Sequence, residues 1–318
     1  MPPSTLVLIG VFSVQFGAGL AAKLFTQIPP AAVTGLRLWT SAAVMAAVGV
    51  RPLRNAITGL ARGGASPGDD PLEPPLAQGP VPPSRGLGRA WRDMGVAVAF
   101  GVTLAVMNFS IYQSFARIPL GISVTVEFLG PLGLAVATSR RLLDLLWVAL
   151  AGAGVVLLAH GGLSTTAGRG TVAIGVAFAL LAALSWVGYI LLSRATGQRF
   201  GGSTGLTIAM VVAAVLITPV GVAAGGKTLL RPDILLIGLG IGLLSSIIPY
   251  SLEMEALRRI PPRIFGIWMS LEPAVAALVG LVLLGQSLAA REWLAIGCVM
   301  VACAGAARGA REPGAPEA

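Results

Sequence analysis

The sequence predicts an all-α, polytopic membrane protein with ten transmembrane helices in two inverted five-helix repeats. Three observations predict it: charge is scarce, ten apolar stretches have the length of a membrane span, and part of the sequence repeats. Charged residues make up 11% of the 318 residues and hydrophobic residues 55%, whereas soluble domains average about 25% charged residues. Because so few charges cannot cover a water-facing surface of this size, we expect the chain to lie in a lipid bilayer.

Ten apolar stretches lie between the charged residues and the Pro/Gly clusters. A helix that crosses a hydrocarbon core of about 30 Å needs roughly 20 apolar residues, and each stretch approaches that length. The predicted spans are, in order, 4–22, 31–50, 93–115, 119–138, 142–160, 171–192, 204–224, 233–253, 264–284 and 289–307. No basic segment precedes the first, so we expect a span there and not a signal peptide.

The basic residues predict how the spans are oriented. Fifteen Lys and Arg residues fall on the side that carries the N-terminus and six on the opposite side, with Arg37 inside a span. Because basic residues collect on the cytoplasmic side, we expect both termini in the cytoplasm, including a tail at 308–318. Residues 51–92, rich in Pro, Gly and Arg, are predicted to form a flexible cytoplasmic loop. This asymmetry explains the net charge of +9 without a nucleic-acid partner.

An internal repeat relates the two ends of the chain. Arg117-Ile118-Pro119 recurs as Arg259-Ile260-Pro261, and each is followed at the same distance by a second proline, Pro131 or Pro273. Further aligned pairs are Gln15-Phe16-Gly17 with Trp186-Val187-Gly188, Lys23 with Arg194, and Trp147 with Trp293, where the fifth and tenth spans begin.

The repeat divides the membrane part into residues 1–160 and 171–307, each with five spans. Because five is odd, the second half enters the membrane from the opposite side. Inverted repeats are typical of many secondary transporters, whose substrate site lies near the membrane midplane between the repeats. The sequence therefore predicts a carrier, with a non-transporting membrane scaffold as an alternative.

Four ionisable residues within or near the ends of spans are candidates for the site: Arg37, Glu127, Glu253 and Glu272. Such residues cost several kcal/mol in a membrane and usually face a cavity or a partner. When the repeats are aligned on their prolines, Glu272 falls opposite Gly130, which shares a helical face with Glu127. Each half thus offers a carboxylate on a related face before a proline, where a kink is favoured.

An amino-acid substrate would need a partner at each end. We expect Glu127 to pair with its ammonium group, and Arg37 or a helix N-terminus to hold its carboxylate. A buried carboxylate that exchanges a proton could also carry a coupled proton. Residues expected to add hydrogen bonds or to form a wall are Asn108, Tyr112, Trp186 and Tyr189. The alternative interpretation is an Arg–Glu pair that holds helices together, with aromatic side chains that only pack.

Three segments resemble a known family: 119–131, 249–257 and 263–274. They are similar to the EamA branch of the drug/metabolite transporter superfamily, and most to the threonine/homoserine exporters of bacterial inner membranes. The resemblance implies export of small amino acids across the cell membrane, which we expect protons to drive. Two features depart from the family: the loop 51–92 is longer than its counterpart in the second half, and Gln286 stands where a glutamate is usual.

An exporter of lipophilic cations or drugs is a second alternative, but Arg37 would repel a cation and aromatic residues are only 6% of the chain. The sequence leaves the oligomeric state open, including a homo-oligomer.

Two enzyme-like motifs lack the context that their chemistry needs. Residues 221–228 match a phosphate-binding loop and residues 201–205 a nucleophile elbow, but both motifs need a preceding strand. The single histidine, His160, is expected in the opposite leaflet from the second motif. One histidine and the neighbouring Cys298 and Cys303 offer no recognisable metal-ligand spacing. We therefore expect no enzyme, metal or cofactor.

Overall fold

The computed structural model describes residues 2–48, 87–138, 143–160, 168–200 and 204–309, and all regular structure in these ranges is helical. Most of the predicted loop 51–92 and nearly all of the tail 308–318 lie outside these ranges. The end of that loop is corrected, because a helix already begins at Leu87.

Thirteen α-helices lie in the described residues. They are α1 (Pro3–Leu24), α2 (Pro30–Val48), α3 (Leu87–Phe115), α4 (Leu120–Glu127), α5 (Leu129–Ala137), α6 (Leu143–His160), α7 (Arg169–Gly197), α8 (Thr204–Gly225), α9 (Pro232–Gly242), α10 (Ile248–Leu257), α11 (Pro262–Met269), α12 (Glu272–Leu284) and α13 (Ala290–Gly309). A 3₁₀ turn, Gly226–Leu230, follows α8, and a π turn, Leu243–Ile247, joins α9 to α10.

Eight helical segments in the described residues are long and apolar enough to cross a membrane. They are Pro3–Leu24, Trp91–Phe115, Leu120–Ala137, Arg169–Gly197, Thr204–Leu230, Pro232–Leu257, Ile264–Leu284 and Ala290–Arg308. The other two predicted spans correspond to α2 and α6, which are not among the eight. Helix α2 carries Arg37 among several hydroxyl side chains, and α6 contributes a shorter apolar stretch, Leu145–Val155.

Two of these segments are interrupted two or three residues before a proline. The first breaks at Phe128, before Pro131, and the second at Ser270 and Leu271, before Pro273. Proline has no N–H to donate to the carbonyl four residues earlier, which favours an interruption at this point of the helix. The sequence predicted a site for a kink in each half but not the precise ends of the shorter helices.

Small residues bring the interrupted helices into close contact with their neighbours. Helix α4 packs on α12, α5 on α7, and α1 on both α10 and α12. A Cβ placed on Gly121 would lie only 2.6 Å from that of Ala277. Gly130 likewise presses on the backbone of Ala183. Such contacts between small residues let membrane helices approach closely, and they gather the interrupted segments around one central space.

The outer surface of the helix bundle is apolar. Large side chains that point outward include Val282, 79% exposed, together with Leu184 and Leu236. The bundle interior holds polar side chains such as Asn108, Ser110 and Ser123. This distribution, apolar outside and partly polar inside, is the one a lipid surrounding favours.

Candidate functional site

A cavity of about 170 Å³ lies at the centre of the bundle. Its polar and aromatic lining consists of Gln15, Arg37, Asn108, Glu127, Trp186, Tyr189, Ser245, Glu253 and Glu272. Its apolar lining consists of Val14, Ala18, Met107, Ile111, Phe115, Val124, Pro249 and Met269. The cavity thus collects side chains from both halves of the sequence, and several of them lie at or beside the helix interruptions.

Seven of the eight site residues expected from the sequence line this cavity, and Tyr112 is the exception. Tyr112 is fully buried. Its hydroxyl accepts a hydrogen bond from Arg37 Nη1 at 3.5 Å, and its ring lies 5.6 Å from the Arg37 guanidinium carbon. Its contact is therefore with the arginine and not with the space inside the cavity.

Arg37 connects α2 to the π turn. Its Nη2 donates to the carbonyl oxygen of Ser245 at 3.0 Å, and Ser13 Oγ donates to the neighbouring carbonyl of Leu244 at 2.7 Å. A π turn widens the helix and changes its regular hydrogen bonding, and such turns are frequent at functional sites. The guanidinium therefore both stabilises this turn and presents a positive charge to the cavity.

Two further carboxylates, those of Glu127 and Glu253, line the same cavity as Arg37. Glu127 is the last residue of α4 and interacts electrostatically with Arg37. Glu253 lies on α10, where Gly10 of α1 leaves room for it: a Cβ on Gly10 would lie 3.8 Å from Glu253 Oε1. The cavity therefore contains an attractive pair and a second acidic group.

Glu272 is the first residue of α12, and its carboxylate meets Gln15 of α1. Gln15 Nε2 donates to Glu272 Oε1 at 2.8 Å, and the two residues are only 2% and 6% exposed. Within the described residues, Gln15 Oε1 and Glu272 Oε2 are buried without a hydrogen-bond partner. The helix N-terminus favours a negative charge at this position, and both remaining oxygens are acceptors.

Aromatic side chains form another part of the wall. The Trp186 ring meets the edge of Phe128 with 5.0 Å between centroids, and Tyr189 packs on Phe100 at 5.3 Å. Asn108 Nδ2 donates to the Leu104 carbonyl of its own helix at 2.8 Å.

A second, smaller cavity of about 130 Å³ adjoins the aromatic wall. Tyr189 lines both cavities. The buried hydroxyl of Thr196 lies at the second one. Tyr189 is therefore shared by two neighbouring cavities.

Gln15 and Ser245 were missing from the residues expected at the site. A signal for Gln15 existed, since an amide inside an apolar span is costly unless it is hydrogen-bonded. The sequence signal for Ser245 was weaker, because Arg37 binds its backbone carbonyl and not its side chain.

Gln286, where the resemblance noted in the sequence implies a glutamate, has a structural contact. Its Oε1 accepts a hydrogen bond from the backbone N–H of Leu120, the first residue of α4, at 2.9 Å. Gly285 before it adopts φ 66°, a left-handed conformation that suits glycine at the end of a helix. The amide thus links the end of α12 to the start of α4.

The phosphate-loop motif also has a clear structural context. Gly221–Gly225 completes α8, and the 3₁₀ turn Gly226–Leu230 follows. No strand precedes it in the described chain, so it is not a phosphate-binding loop. Part of the nucleophile-elbow motif, residues 201–203, lies outside the described residues.

Apolar helices that surround a cavity lined by partly buried ionisable side chains are the features of a membrane transporter. Residues 173–308 match the EamA-like transporter family. Over 303 residues the chain is 34% identical to the threonine/homoserine exporter RhtA of Escherichia coli (strain K12). The matched region covers 95% of this chain and 90% of that protein. The chain therefore belongs to the EamA-like transporter family.

Two further proteins are similar to this chain. The uncharacterized inner membrane transporter YedA of Escherichia coli (strain K12) is 28% identical over 202 residues, or 58% of this chain and 61% of that protein. A protein of known crystal structure has a TM-score of 0.56 at 17% identity, covering 95% of this chain and 96% of that one, which shows the fold alone. The chain is thus a multi-pass membrane transporter with a small-molecule substrate, and not an enzyme.

Proposed function

We propose that this transporter is a secondary carrier of a bacterial inner membrane that exports small amino acids such as threonine and homoserine in exchange for protons. One observation carries the proposal: three carboxylates and one guanidinium line a single cavity between the helices. Such a site offers partners for both ends of a zwitterion and groups that can exchange a proton. The name of the RhtA relative supports the choice of substrate.

The proposed architecture is ten spans in two inverted repeats, 1–160 and 171–307, with α2 and α6 completing the ten. The cavity lining supports it, because aligned residues of the two halves both line the cavity. The pairs are Gln15 with Trp186, Ala18 with Tyr189, Met107 with Pro249, Ile111 with Glu253, and Glu127 with Met269. This pairing is expected of a cavity that lies on a pseudo-two-fold axis between the repeats.

Two helix contacts support the same symmetry. A Cβ on Gly17 would collide with Ser245, and a Cβ on Gly188, its aligned residue, would lie 3.1 Å from Thr103. Thr103 is the residue that aligns with Ser245, so the two contacts are equivalent. The bias of basic residues toward one side supports cytoplasmic termini, the loop 51–92 and the tail 308–318 included.

Cavity size favours a small metabolite over a drug-sized ligand. Sites for drug-sized molecules occupy about 300–1,000 Å³, whereas this cavity measures about 170 Å³. Arg37 at the lining disfavours a lipophilic cation, and membership of a transporter family disfavours a scaffold. A small zwitterion therefore fits the cavity better than either alternative.

The proposed mechanism is alternating access, in which the repeats exchange inward and outward openings around a fixed site. Glu127 and Glu272 bind either a proton or the ammonium group of the substrate, so that release of one accompanies binding of the other. Arg37 attracts the substrate carboxylate. Asn108, Trp186 and Tyr189 shape the remaining wall, and Tyr112 supports the guanidinium.

The test is transport of labelled L-threonine or L-homoserine by proteoliposomes with and without a pH gradient. We expect the labelled substrate to move in the direction opposite to the protons, and faster with the pH gradient than without it. Glu272→Gln should abolish the dependence on the gradient and Glu127→Gln should weaken it. Glu255→Gln should leave it unchanged, because Glu255 lies near the end of α10 and is ion-paired with Arg259 just beyond that helix. Movement independent of the gradient would overturn proton coupling. Unchanged transport in both cavity variants would remove both site assignments.

A further inference from the structure

We infer that Gln15 and Glu272 together form the binding site for a primary ammonium group of the substrate. The inference rests on the proposed carrier function and deepens it, since it assigns one end of the solute to one pair of residues. It also gives a role to Gln15, which is not among the site residues expected from the sequence.

The hydrogen bonds of the pair leave two acceptors for a ligand. Gln15 uses one N–H to donate to Glu272 Oε1, which fixes the orientation of both side chains. Gln15 Oε1 and Glu272 Oε2 are then buried and unpartnered, and both residues line the cavity. Buried acceptors without donors are costly, and charged ones more so, so a ligand that brings donors to this point is favoured.

An ammonium group is the ligand chemistry that matches these acceptors. It carries three N–H donors and no acceptor, so it can donate to both oxygens and still direct one N–H elsewhere. Glu127 and Glu253 interact electrostatically with Glu272 and add negative potential around the same place. A carboxylate would be repelled here, so the acidic end of the solute turns toward Arg37.

Close packing holds the pair in position. Gly17 lets α1 lie directly against the π turn at Ser245, and Gly19 lets it lie against Val279 of α12. Glu272 is fixed at the first turn of the same helix. Because α1 packs against the π turn and α12 within four residues of Gln15, the two acceptors keep their separation.

This site predicts how the transporter discriminates among analogues. Removal of the ammonium group takes away both charge and donors. Trimethylation keeps the charge and removes every N–H. If hydrogen bonds to Gln15 and Glu272 select the substrate, both changes weaken binding, and the trimethylated compound separates donor recognition from simple charge attraction.

The experiment measures inhibition of labelled L-homoserine counterflow in proteoliposomes that contain the wild-type protein. The inhibitors are L-threonine, its 2-hydroxy acid analogue and its N-trimethyl analogue. We expect both analogues to inhibit at concentrations at least about 10-fold higher than L-threonine, because each loses hydrogen bonds to a charged or buried acceptor. Since this series uses the unaltered chain, it does not depend on how any variant folds.

A variant pair then locates the effect. Gln15→Met keeps the length of the side chain but removes its acceptor, and we expect the KM for L-homoserine to rise about 10-fold. Inhibition by the 2-hydroxy acid should stay the same, so the discrimination between the two compounds shrinks. Gln27→Met, at an exposed glutamine in the turn after α1, is the matched control and should behave as wild type.

Two results overturn this inference alone: equal inhibition by L-threonine and either analogue, or unchanged discrimination in a folded Gln15→Met variant. Absence of any homoserine or threonine counterflow by the wild-type protein would overturn the proposed substrate as well as this site. The two failures are therefore distinguishable.

Discussion

The two interrupted segments place their carboxylates at opposite helix ends. In the first, Glu127 is the last residue of α4, before the break; in the second, Glu272 is the first residue of α12, after the break. A helix C-terminus disfavours a negative charge and an N-terminus favours it. Glu127 has Arg37 to offset its charge, whereas Glu272 has the helix N-terminus and the Gln15 amide.

The comparison teaches that one backbone pattern supports two different chemical surroundings. The residue aligned with Glu272 is Gly130, which presses on the Ala183 backbone and has no room for a side chain. The residue aligned with Gln15 is Trp186, whose ring packs on Phe128. One side of the cavity is therefore polar and the other aromatic, which suits a solute with one charged end and an apolar body.

The largest expected effect is that of Glu272→Gln. The change removes the negative charge of the Glu272 carboxylate, which has no hydrogen-bond partner at Oε2. We expect gradient-driven homoserine transport to fall by about 100-fold, because hydrogen bonds to charged groups are stronger than those between neutral groups. Initial rates in proteoliposomes check it. Glu255→Gln is the control, and a rate within twofold of wild type for Glu272→Gln would remove Glu272 from the pathway.

The next largest expected effect is a loss of stability from a substitution that disturbs the packing of the first interrupted segment. Gly130→Ala places a methyl group on the Ala183 backbone, and overpacking of this kind costs about 1–3 kcal/mol. Gly133→Ala on the same helix meets nothing within 4 Å and is the matched control. Thermal unfolding in detergent should show a lower Tm only for Gly130→Ala; equal values would mean that α5 and α7 are not in such close contact.

Glu127→Gln should have a smaller effect on transport than Glu272→Gln. The variant leaves Arg37 bound to Ser245 and Tyr112, so the cavity keeps its shape while the attractive pair is lost. We expect a reduction of about 10-fold in rate, of the size of one charge-assisted interaction. Parallel rate measurements on the two variants rank them, and the reverse order would show that the first segment holds the principal carboxylate.

The smallest effect concerns the link between the two segments. Gln286→Leu removes the acceptor for the Leu120 N–H, and loss of one such bond costs about 1 kcal/mol. Gln286→Glu keeps an acceptor and should have almost no effect on Tm or transport. Strong activation by Gln286→Glu would instead indicate a coupling role for a carboxylate at this position.

The fold was predictable where local patterns determine it. Apolar stretches gave the helices, and Pro131 and Pro273 gave the kinks, because a proline removes a backbone donor wherever it lies in a helix. The π turn left no comparable signal in Leu243–Ile247. At each of these prolines, the sequence did not distinguish one bent helix from two short helices.

The site was predictable to the extent that charge in a membrane is costly. That rule identified Arg37 and the three carboxylates. The rule did not cover Gln15, because a glutamine side chain is uncharged. Its pairing with Glu272 joins residues far apart in the chain. Tyr112 was expected beside the substrate for its hydroxyl, yet that hydroxyl meets Arg37. Pairings that depend on tertiary contact cannot be deduced from one sequence.

The most direct test of the account is proton release when L-homoserine binds to the purified transporter in a weakly buffered detergent solution. If proton and ammonium group compete for the carboxylate of the second segment, substrate releases protons until the site is saturated. Glu272→Gln should abolish the release, whereas Glu127→Gln should retain most of it. Saturable binding without any proton release by the wild-type protein, or release that survives in Glu272→Gln, would contradict the account.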